Sequence, residues 1–190
     1  PACCRGSRNW QFFFVNGRQV KSRLMMAALE EAYQAGTLRA IGISNFHEAR
    51  YQTFLAGCQV VPMVNQVETH ALFQQAAAHE VMAKYGVVHE SWGPFAEGRK
   101  DFFTNPTLQA IGAKYGKSVA QTALRFLIQS DVVVIPKSTH KERMAENLDV
   151  FDFQLSQEDM VAIRALDDGQ SAFFSHYDPA TVECLTSLGR

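Results

Sequence analysis

The sequence lacks any apolar run near the roughly 18 residues that a membrane-spanning helix needs, so we expect no membrane partner. It also lacks an excess of one charge, because 18 basic and 19 acidic residues leave a net charge of −1. This balance excludes a broad basic surface for nucleic acid. Any anion that the protein binds must therefore bind at a local site.

Motifs for metals and for several enzyme classes are missing as well. The four cysteines form no CxxC pair, which favours reduced thiols and a cytoplasmic location over disulfides; they are Cys3, Cys4, Cys58 and Cys184. The six histidines show no metal-ligand spacing and HExxH is absent from the sequence, so we expect no metal site. Neither GxSxG nor GxGxxG occurs, which argues against a hydrolase elbow and a dinucleotide-binding glycine loop.

What the sequence does contain is a fourfold alternation of short apolar runs and helical patterns. The runs are continuous rather than alternating, which is typical of parallel strands covered on both faces, and they lie at 39–43, 60–64, 87–90 and 132–135. The order predicts an α/β fold. Two architectures fit it, a segment of a (β/α)8 barrel and a small open doubly wound sheet, and periodicity alone does not choose between them.

Local signals mark where several helices begin. Asn105 is predicted to cap a helix with Pro106 in its first turn. Three capping boxes are also predicted, formed by Ser118 with Gln121, Thr139 with Glu142, and Ser156 with Asp159. Helices are also predicted from Leu24 until Gly36, over 72–85 and, as a last short helix, from Asp178–Pro179 onwards. Residues 1–23 receive no assignment.

Polar residues follow the predicted strands at Ser44–Asn45, Gln66, Trp92 and Lys137–Ser138. The stretch 135–147 (IPKSTHKERMAEN) is the most informative of these sites. An apolar run ends there in a turn, and a helix follows that carries Arg143, Glu146 and Asn147 on one face. A helix start beside cationic side chains suits a nucleotide phosphate.

Four motifs, in this order, resemble the aldo-keto reductase family. They are GISNF at 42–46, NQVE at 65–68, ESWGPF at 90–95 and IPKS at 135–138. The tail AFFSH at 172–176 resembles the bacterial-type members. The resemblance covers 24–190 and implies the C-terminal part of a parallel (β/α)8 barrel of the TIM type. Only about the last four β/α units are represented, so the barrel is expected to be incomplete.

By that resemblance, the chain would bind NADP(H). Ser44, Asn45 and Gln66 would hold the nicotinamide carboxamide, since hydroxyl and amide groups both donate and accept hydrogen bonds. Trp92 would stack on the nicotinamide ring. The cofactor-binding residues at the adenosine end would be Lys137, Ser138, Thr139, Arg143, Glu146 and Asn147. Lys137, Ser138 and Arg143 would bind the 2′-phosphate, so the resemblance favours NADPH over NADH.

Each of these residues also has a simpler interpretation when it is taken alone. Ser44 and Asn45 could cap a helix, Gln66 could be an ordinary strand-end residue, and Trp92 could belong to the core. Lys137 and Arg143 could be solvated surface cations. Their joint occurrence in family order favours the cofactor interpretation.

The family's catalytic Asp, Tyr, Lys and His lie on the first four barrel strands, and no matching motif occurs here. We therefore assign no catalytic residue, and by position none of the tyrosines is a candidate: Tyr33, Tyr51, Tyr85, Tyr115 and Tyr177. The leading hypothesis is the cofactor-binding half of an NADP-dependent oxidoreductase that reduces a small carbonyl substrate to an alcohol, with the isolated chain inactive. The alternatives are a non-catalytic NADP(H)-binding or interaction module, an inactive truncated fragment, and a product that does not fold. An incomplete sheet would also leave open edges through which the chain could self-associate.

Overall fold

A computed structural model describes residues 19–46 and 48–173, with side chains described for 24–46 and 51–173. The helices are α1 (Gln19–Gln34), α2 (Glu48–Leu55), α3 (Ala76–Lys84), α4 (Pro106–Tyr115), α5 (Val119–Gln129), α6 (Lys141–Leu148) and α7 (Gln157–Arg164). The strands are β1 (Gly42–Ser44), β2 (Val64–Glu68), β3 (Val88–Trp92) and β4 (Val132–Val134). They form one sheet in the order β1-β2-β3-β4. Two short 3₁₀ helices, Ala96–Gly98 and Phe102–Thr104, follow β3. In the described part of the chain, no helix is long and apolar enough to cross a bilayer.

The described residues form two compact units, the first from 19–67 and 77–89 and the second from 68–76 and 90–173. In the first unit, helices α1, α2 and α3 bury apolar side chains against β1 and β2, and the most buried are Met26, Ile41, Ile43, Tyr51, Val67 and Met82. β1 pairs with β2 in parallel, with Gly42 opposite Val64 and Ser44 opposite Gln66. The buried Glu30 carboxylate accepts the backbone N–H groups of Gln59 (2.7 Å) and Val60 (2.9 Å). These two hydrogen bonds satisfy backbone N–H groups of the loop that leads into β2.

In the second unit, α4, α5 and α7 close over a core that includes Phe102, Leu108, Ile111, Phe126, Leu127 and Ile163. The Asn105 Oδ1 atom accepts the N–H groups of Thr107 and Leu108, each at 3.1 Å, so the predicted cap of α4 is confirmed. Ser118 and Gln121 form the predicted capping box of α5. These signals span three residues or fewer, which is why the sequence alone reveals them.

The two remaining capping predictions need correction. The Thr139–Glu142 box is wrong, because α6 begins after His140 and receives no side-chain cap. The Ser138 hydroxyl instead accepts the His140 N–H (3.1 Å), which closes a turn before the helix starts. Ser156 does cap α7 by accepting the Asp159 N–H (3.2 Å), but its own N–H donates to the Tyr115 hydroxyl. The reciprocal half of that box is absent because the Asp159 carboxylate accepts from Tyr115 and Lys114.

The strand predictions were displaced along the chain. The run 60–64 was wrong as a strand, since β2 spans Val64–Glu68 and only its first residue belongs to that run. Pro62 lacks an N–H for a ladder. Asn65, Gln66 and Glu68 are buried inside β2, where Asn65 Nδ2 and the Glu68 carboxylate have hydrogen-bond partners. β1 and β3 likewise extend further towards their C-terminal ends than the apolar runs 39–43 and 87–90. Gln66 and Trp92 therefore lie within strands rather than after them.

Two helices also begin elsewhere than predicted. The pattern at 72–85 forms a helix only from Ala76, because His70 and Phe73 first make an antiparallel bridge and Gln75 takes a φ of +57°. α1 begins at Gln19, inside the segment 1–23 that received no assignment. The short helix expected after 178 lies outside the described residues.

Candidate functional site

A cavity of about 630 Å³ opens in the second unit beside the N-terminal end of α6. All six residues predicted for the adenosine end of the cofactor line it: Lys137, Ser138, Thr139, Arg143, Glu146 and Asn147. The short turn after β4 supplies the first three, and one face of α6 supplies the others at spacings of three and four residues. The structure thus brings this predicted set together.

Lys137 and Arg143 supply the positive charge of the cavity. Neither Lys137 nor Arg143 forms an ion pair with a carboxylate in the described part of the chain, although Glu146 lines the same cavity. Both side chains are exposed. Two such cations in one concave site are suited to a doubly charged anion.

The backbone at the start of α6 adds hydrogen-bond donors. No side chain caps this helix, because the Ser138 hydroxyl is engaged with His140. The N–H groups of its first turn therefore have no side-chain acceptor. The positive end of the helix dipole and these N–H groups favour an anion at the same place as the two cations.

Aromatic rings form another wall of the cavity. Phe95 and Phe103 line it with ring centroids 5.7 Å apart, and 47% of Phe103 is exposed. Exposed flat rings are suited to contact with a planar base. The start of α5 also contributes Ser118, Val119 and Ala120, none of which was predicted as a site residue. They line the cavity because α5 packs against α6, and a local sequence pattern does not predict that contact between helices.

The predicted carboxamide residues Ser44, Asn45 and Gln66 meet in the first unit, where β1 pairs with β2. The Ser44 hydroxyl and the Asn45 N–H both donate to the Gln66 carbonyl oxygen, each at 2.9 Å. Ser44 and Gln66 are buried, and Asn45 adopts a φ of +60°. The side chain of Asn65 donates to the Phe46 carbonyl (2.7 Å), which fixes the turn after β1.

Trp92 is the last residue of β3, in the second unit, and is half-buried. Its ring lies 5.0 Å, centroid to centroid, from the ring of Phe173 at an angle of 54°. In the sequence analysis, Phe173 belongs only to the AFFSH tail at 172–176 and receives no role at the site. In the described residues, no cluster of three His, Cys, Asp or Glu side chains could hold a metal ion.

A protein-family model for the aldo/keto reductase family matches residues 15–168. This chain belongs to the aldo/keto reductase family. A glyoxal reductase from Bacillus subtilis is 44% identical over 139 residues, which are 73% of this chain and 50% of that protein. The methylglyoxal reductase DkgA from Yersinia pestis is 38% identical over 137 residues, which are 72% of this chain and 50% of that protein. The chain thus spans about half the length of these curated relatives.

Solved structures of aldo-keto reductases share this fold. One from a Medee basin deep-sea metagenome library has a TM-score of 0.85 and 34% identity, covering 92% of this chain and 66% of that one. An aldo-keto reductase of the silkworm Bombyx mori, which was also solved with NADPH, has a TM-score of 0.71 and 35% identity over 80% of this chain and 48% of its own. These matches confirm the predicted α/β fold of the TIM-barrel type, present here in part of its length.

Proposed function

We propose that this aldo/keto reductase chain binds NADPH, with the adenosine 2′-phosphate held in the cavity beside α6. One observation carries the proposal. Lys137 and Arg143 line a single cavity, and neither has a carboxylate partner in the described part of the chain. A 2′-phosphate would supply the missing negative charge and accept hydrogen bonds from both side chains.

The other residues of the cavity fit the rest of an adenosine phosphate. Ser138 and Thr139 offer hydroxyl groups, and the uncapped start of α6 offers N–H groups. Phe95 and Phe103 offer rings for the base. A volume of about 630 Å³ lies within the usual size of a small-molecule site. The NADPH complex of the silkworm relative supports the choice of cofactor.

At the nicotinamide end, Ser44, Asn45 and Gln66 would hold the carboxamide and Trp92 would stack on the ring. Because the Ser44 hydroxyl already donates to Gln66, its oxygen is left to accept a hydrogen bond from the amide N–H₂. Trp92 presents a flat, half-buried ring of few rotamers.

The proposed reaction is that of the family, in which bound NADPH supplies a hydride to a small carbonyl compound. This chain would contribute the cofactor-binding part, and none of its residues is assigned as proton donor. General acid catalysis contributes on the order of 10²–10⁴-fold, so we expect the isolated chain to reduce an aldehyde very weakly or not at all.

The phosphate assignment is tested by comparing NADPH with NADH. Arg143→Ala and Lys137→Ala should each weaken NADPH by about 10-fold or more, since a charge-assisted hydrogen bond contributes roughly 1.5–3 kcal/mol, and should weaken NADH far less. Lys141→Ala is the matched control, because it removes a cation of α6 that does not line the cavity. Calorimetric titration of the 190-residue chain measures all these affinities. Equal losses for both nucleotides would refute the assignment.

The alternative of a non-catalytic NADP(H)-binding module is tested by adding NADPH and a simple aldehyde. A reductase would oxidise NADPH, measured at 340 nm, at a rate that rises with protein concentration, and a binding module would not.

We also propose that the chain self-associates through the edge of its sheet. Val133 of the sheet-edge strand β4 is 45% exposed, and such an apolar edge invites pairing. Sedimentation of the chain at several concentrations would show it.

A further inference from the structure

Within the second unit, the segment 168–173 is held by hydrogen bonds to the buried carboxylate of Glu68, the last residue of β2. Glu68 is only 3% exposed, and three groups donate to its two oxygens. Oε1 accepts from the Ala172 N–H (2.8 Å) and from His70 Nε2 (3.1 Å), and Oε2 accepts from the Ser171 hydroxyl (2.6 Å). Two of these three donors belong to a segment more than one hundred residues away along the chain.

The surroundings of Glu68 require an ionised carboxylate. The Leu72 N–H donates to His70 Nδ1 (3.2 Å), so the proton of the neutral ring lies on Nε2 and points to Glu68. Burial alone would raise the pKa of Glu68, but the hydrogen bonds from His70, Ser171 and Ala172 outweigh it and hold that pKa below its ordinary value. Replacing the Glu68 carboxylate by an amide would turn one acceptor oxygen into an N–H₂ group, which would face donor groups and could not accept from them.

The loop after β3 holds the same segment from a second direction. Lys100 Nζ contacts both carboxylate oxygens of Asp168 (2.8 and 3.1 Å) and the Gln170 carbonyl (2.8 Å). Arg99 Nη1 donates to the Ala172 carbonyl (3.2 Å). The conformation of this loop is costly, since Ala96, Glu97, Lys100 and Asp101 all have φ values between +50° and +54°. Contacts to the segment help to maintain it.

These hydrogen bonds place the Phe173 ring in a narrow space beside Trp92, Arg99 and Gly93. Its ring lies against Trp92, and the Arg99 guanidinium lies 4.6 Å from its centroid. A Cβ atom at Gly93 would lie 3.3 Å from the Phe173 ring, so glycine there permits the close approach. The Phe173 ring thus packs closely in this space, and it limits the orientations open to the Trp92 side chain.

We propose that Glu68 is a positioning residue, which holds segment 168–173 so that Phe173 supports the Trp92 ring in the orientation that receives the nicotinamide. The inference rests on the proposed NADPH function and adds a residue set to its nicotinamide end. Glu68 does not contact the ligand in this scheme. Its effect is transmitted through Ser171 and Ala172 to Phe173, and from there to Trp92.

The test compares two ligands on the 190-residue chain, NADPH and adenosine 2′,5′-bisphosphate, which lacks the nicotinamide. Phe173→Ala and Glu68→Gln should each weaken NADPH by about 3–10-fold, the range expected for the loss of an aromatic pair, and leave the bisphosphate within 2-fold. Both variants should also shift the Trp92 emission to longer wavelength. Glu68→Asp, which keeps the charge, should recover part of the NADPH affinity.

Phe151→Ala is the matched control, because it removes a phenyl ring that is 67% exposed and should change neither affinity. Ser171→Ala leaves the carboxylate in place but removes one of its donors and the acceptor of the Phe173 N–H (3.0 Å), so it tests the same path to Phe173 where Glu68→Gln fails to fold. Wild-type chain that binds neither ligand would overturn the proposed function and this inference together. Wild-type NADPH binding that Phe173→Ala leaves unchanged or tightens would overturn this inference alone.

Discussion

The Ser44 hydroxyl donates a hydrogen bond of 2.9 Å to the Gln66 carbonyl oxygen, across the pair of parallel strands β1 and β2. The same oxygen accepts the Asn45 N–H at 2.9 Å. Ser44 therefore has a structural role before any ligand is considered: it joins the ends of two strands through a buried contact. Its oxygen still has acceptor capacity, so the structural role and the proposed ligand role are compatible.

Replacing Ser44 by alanine should lower the free energy of unfolding by about 1 kcal/mol, the usual net contribution of an intramolecular hydrogen bond. The loss stays modest because Gln66 keeps the Asn45 N–H. Urea denaturation measures it. Ser130→Ala is the matched control, since the buried Ser130 hydroxyl has no hydrogen-bond partner among the described residues and its removal should be neutral or stabilising. Equal losses in the two variants would contradict the structural role of Ser44.

Trp92→Ala should weaken NADPH while sparing adenosine 2′,5′-bisphosphate, because the proposed contact of Trp92 is with the nicotinamide ring alone. Stacking on an aromatic side chain contributes about 0.5–1.5 kcal/mol, so a loss of about 3–10-fold is expected in calorimetric titration. Trp92→Phe should retain most of the affinity, since it keeps a flat ring at the end of β3. Loss of bisphosphate binding in Trp92→Ala would show that the residue acts through the fold instead.

Gly112→Ala tests the contact between α4 and the start of α5. A Cβ atom at Gly112 would lie 2.5 Å from the Lys117 carbonyl oxygen and 2.8 Å from Thr122 Oγ1. Alanine is ordinarily better than glycine inside a helix by about 1 kcal/mol, but here the backbone of 117 must move. We expect a net destabilisation of about 1–3 kcal/mol, as for an overpacked core.

The control for this prediction is Ala110→Gly, at an exposed position of the same helix, which should cost only the propensity difference of about 1 kcal/mol. Thermal and urea unfolding of both variants provide the comparison. A Gly112→Ala protein more stable than the wild type would mean that α4 and α5 can separate at no cost.

The sequence predicted those features whose causes lie within a few residues. The Asn105 cap and the Ser118–Gln121 box were confirmed because each needs only a side chain and an N–H group two or three positions away. The set around Arg143 was brought to one cavity because helical spacing determines which residues share a face.

The sequence failed where distant partners change the cost of burying a polar group. β2 was misplaced because Asn65, Gln66 and Glu68 look unsuited to a buried strand. The Phe46 carbonyl accepts from Asn65 Nδ2, and Ser171 and Ala172 help to satisfy Glu68 from more than one hundred residues away. No local pattern contains that information. Phe173 was missed for the same reason, since its contact with Trp92 depends on the space beside Gly93.

A final prediction concerns acid stability and the histidine pair of the first unit. The Nδ1 atoms of His79 and His89 lie 3.0 Å apart, so one ring donates and the other accepts. His89 is 2% exposed. Burial, with a smaller contribution from the charge of His79, lowers the pKa of His89 to about 3. The contact is therefore maintained by a neutral His89.

The sign of the pH effect follows from this lowered pKa. An unfolded histidine has a pKa of about 6.5, so between about pH 6.5 and pH 3 the unfolded chain binds a proton that the folded chain excludes. Stability must then fall as the pH falls through this window, by up to about 1.4 kcal/mol per pH unit. Between pH 7 and pH 5 the contribution of His89 amounts to about 2 kcal/mol.

His89→Phe removes the titrating group and should flatten this dependence, with the free energy of unfolding at pH 7 and pH 5 differing by about 2 kcal/mol less than in the wild type. Urea denaturation at the two pH values measures the difference, and the range avoids the carboxylates, which titrate near pH 4. His140→Gln, which removes an exposed imidazole of the second unit, is the matched control. An unchanged slope in His89→Phe would mean that His89 accepts a proton in the folded state, and that the close approach to His79 opens in mild acid.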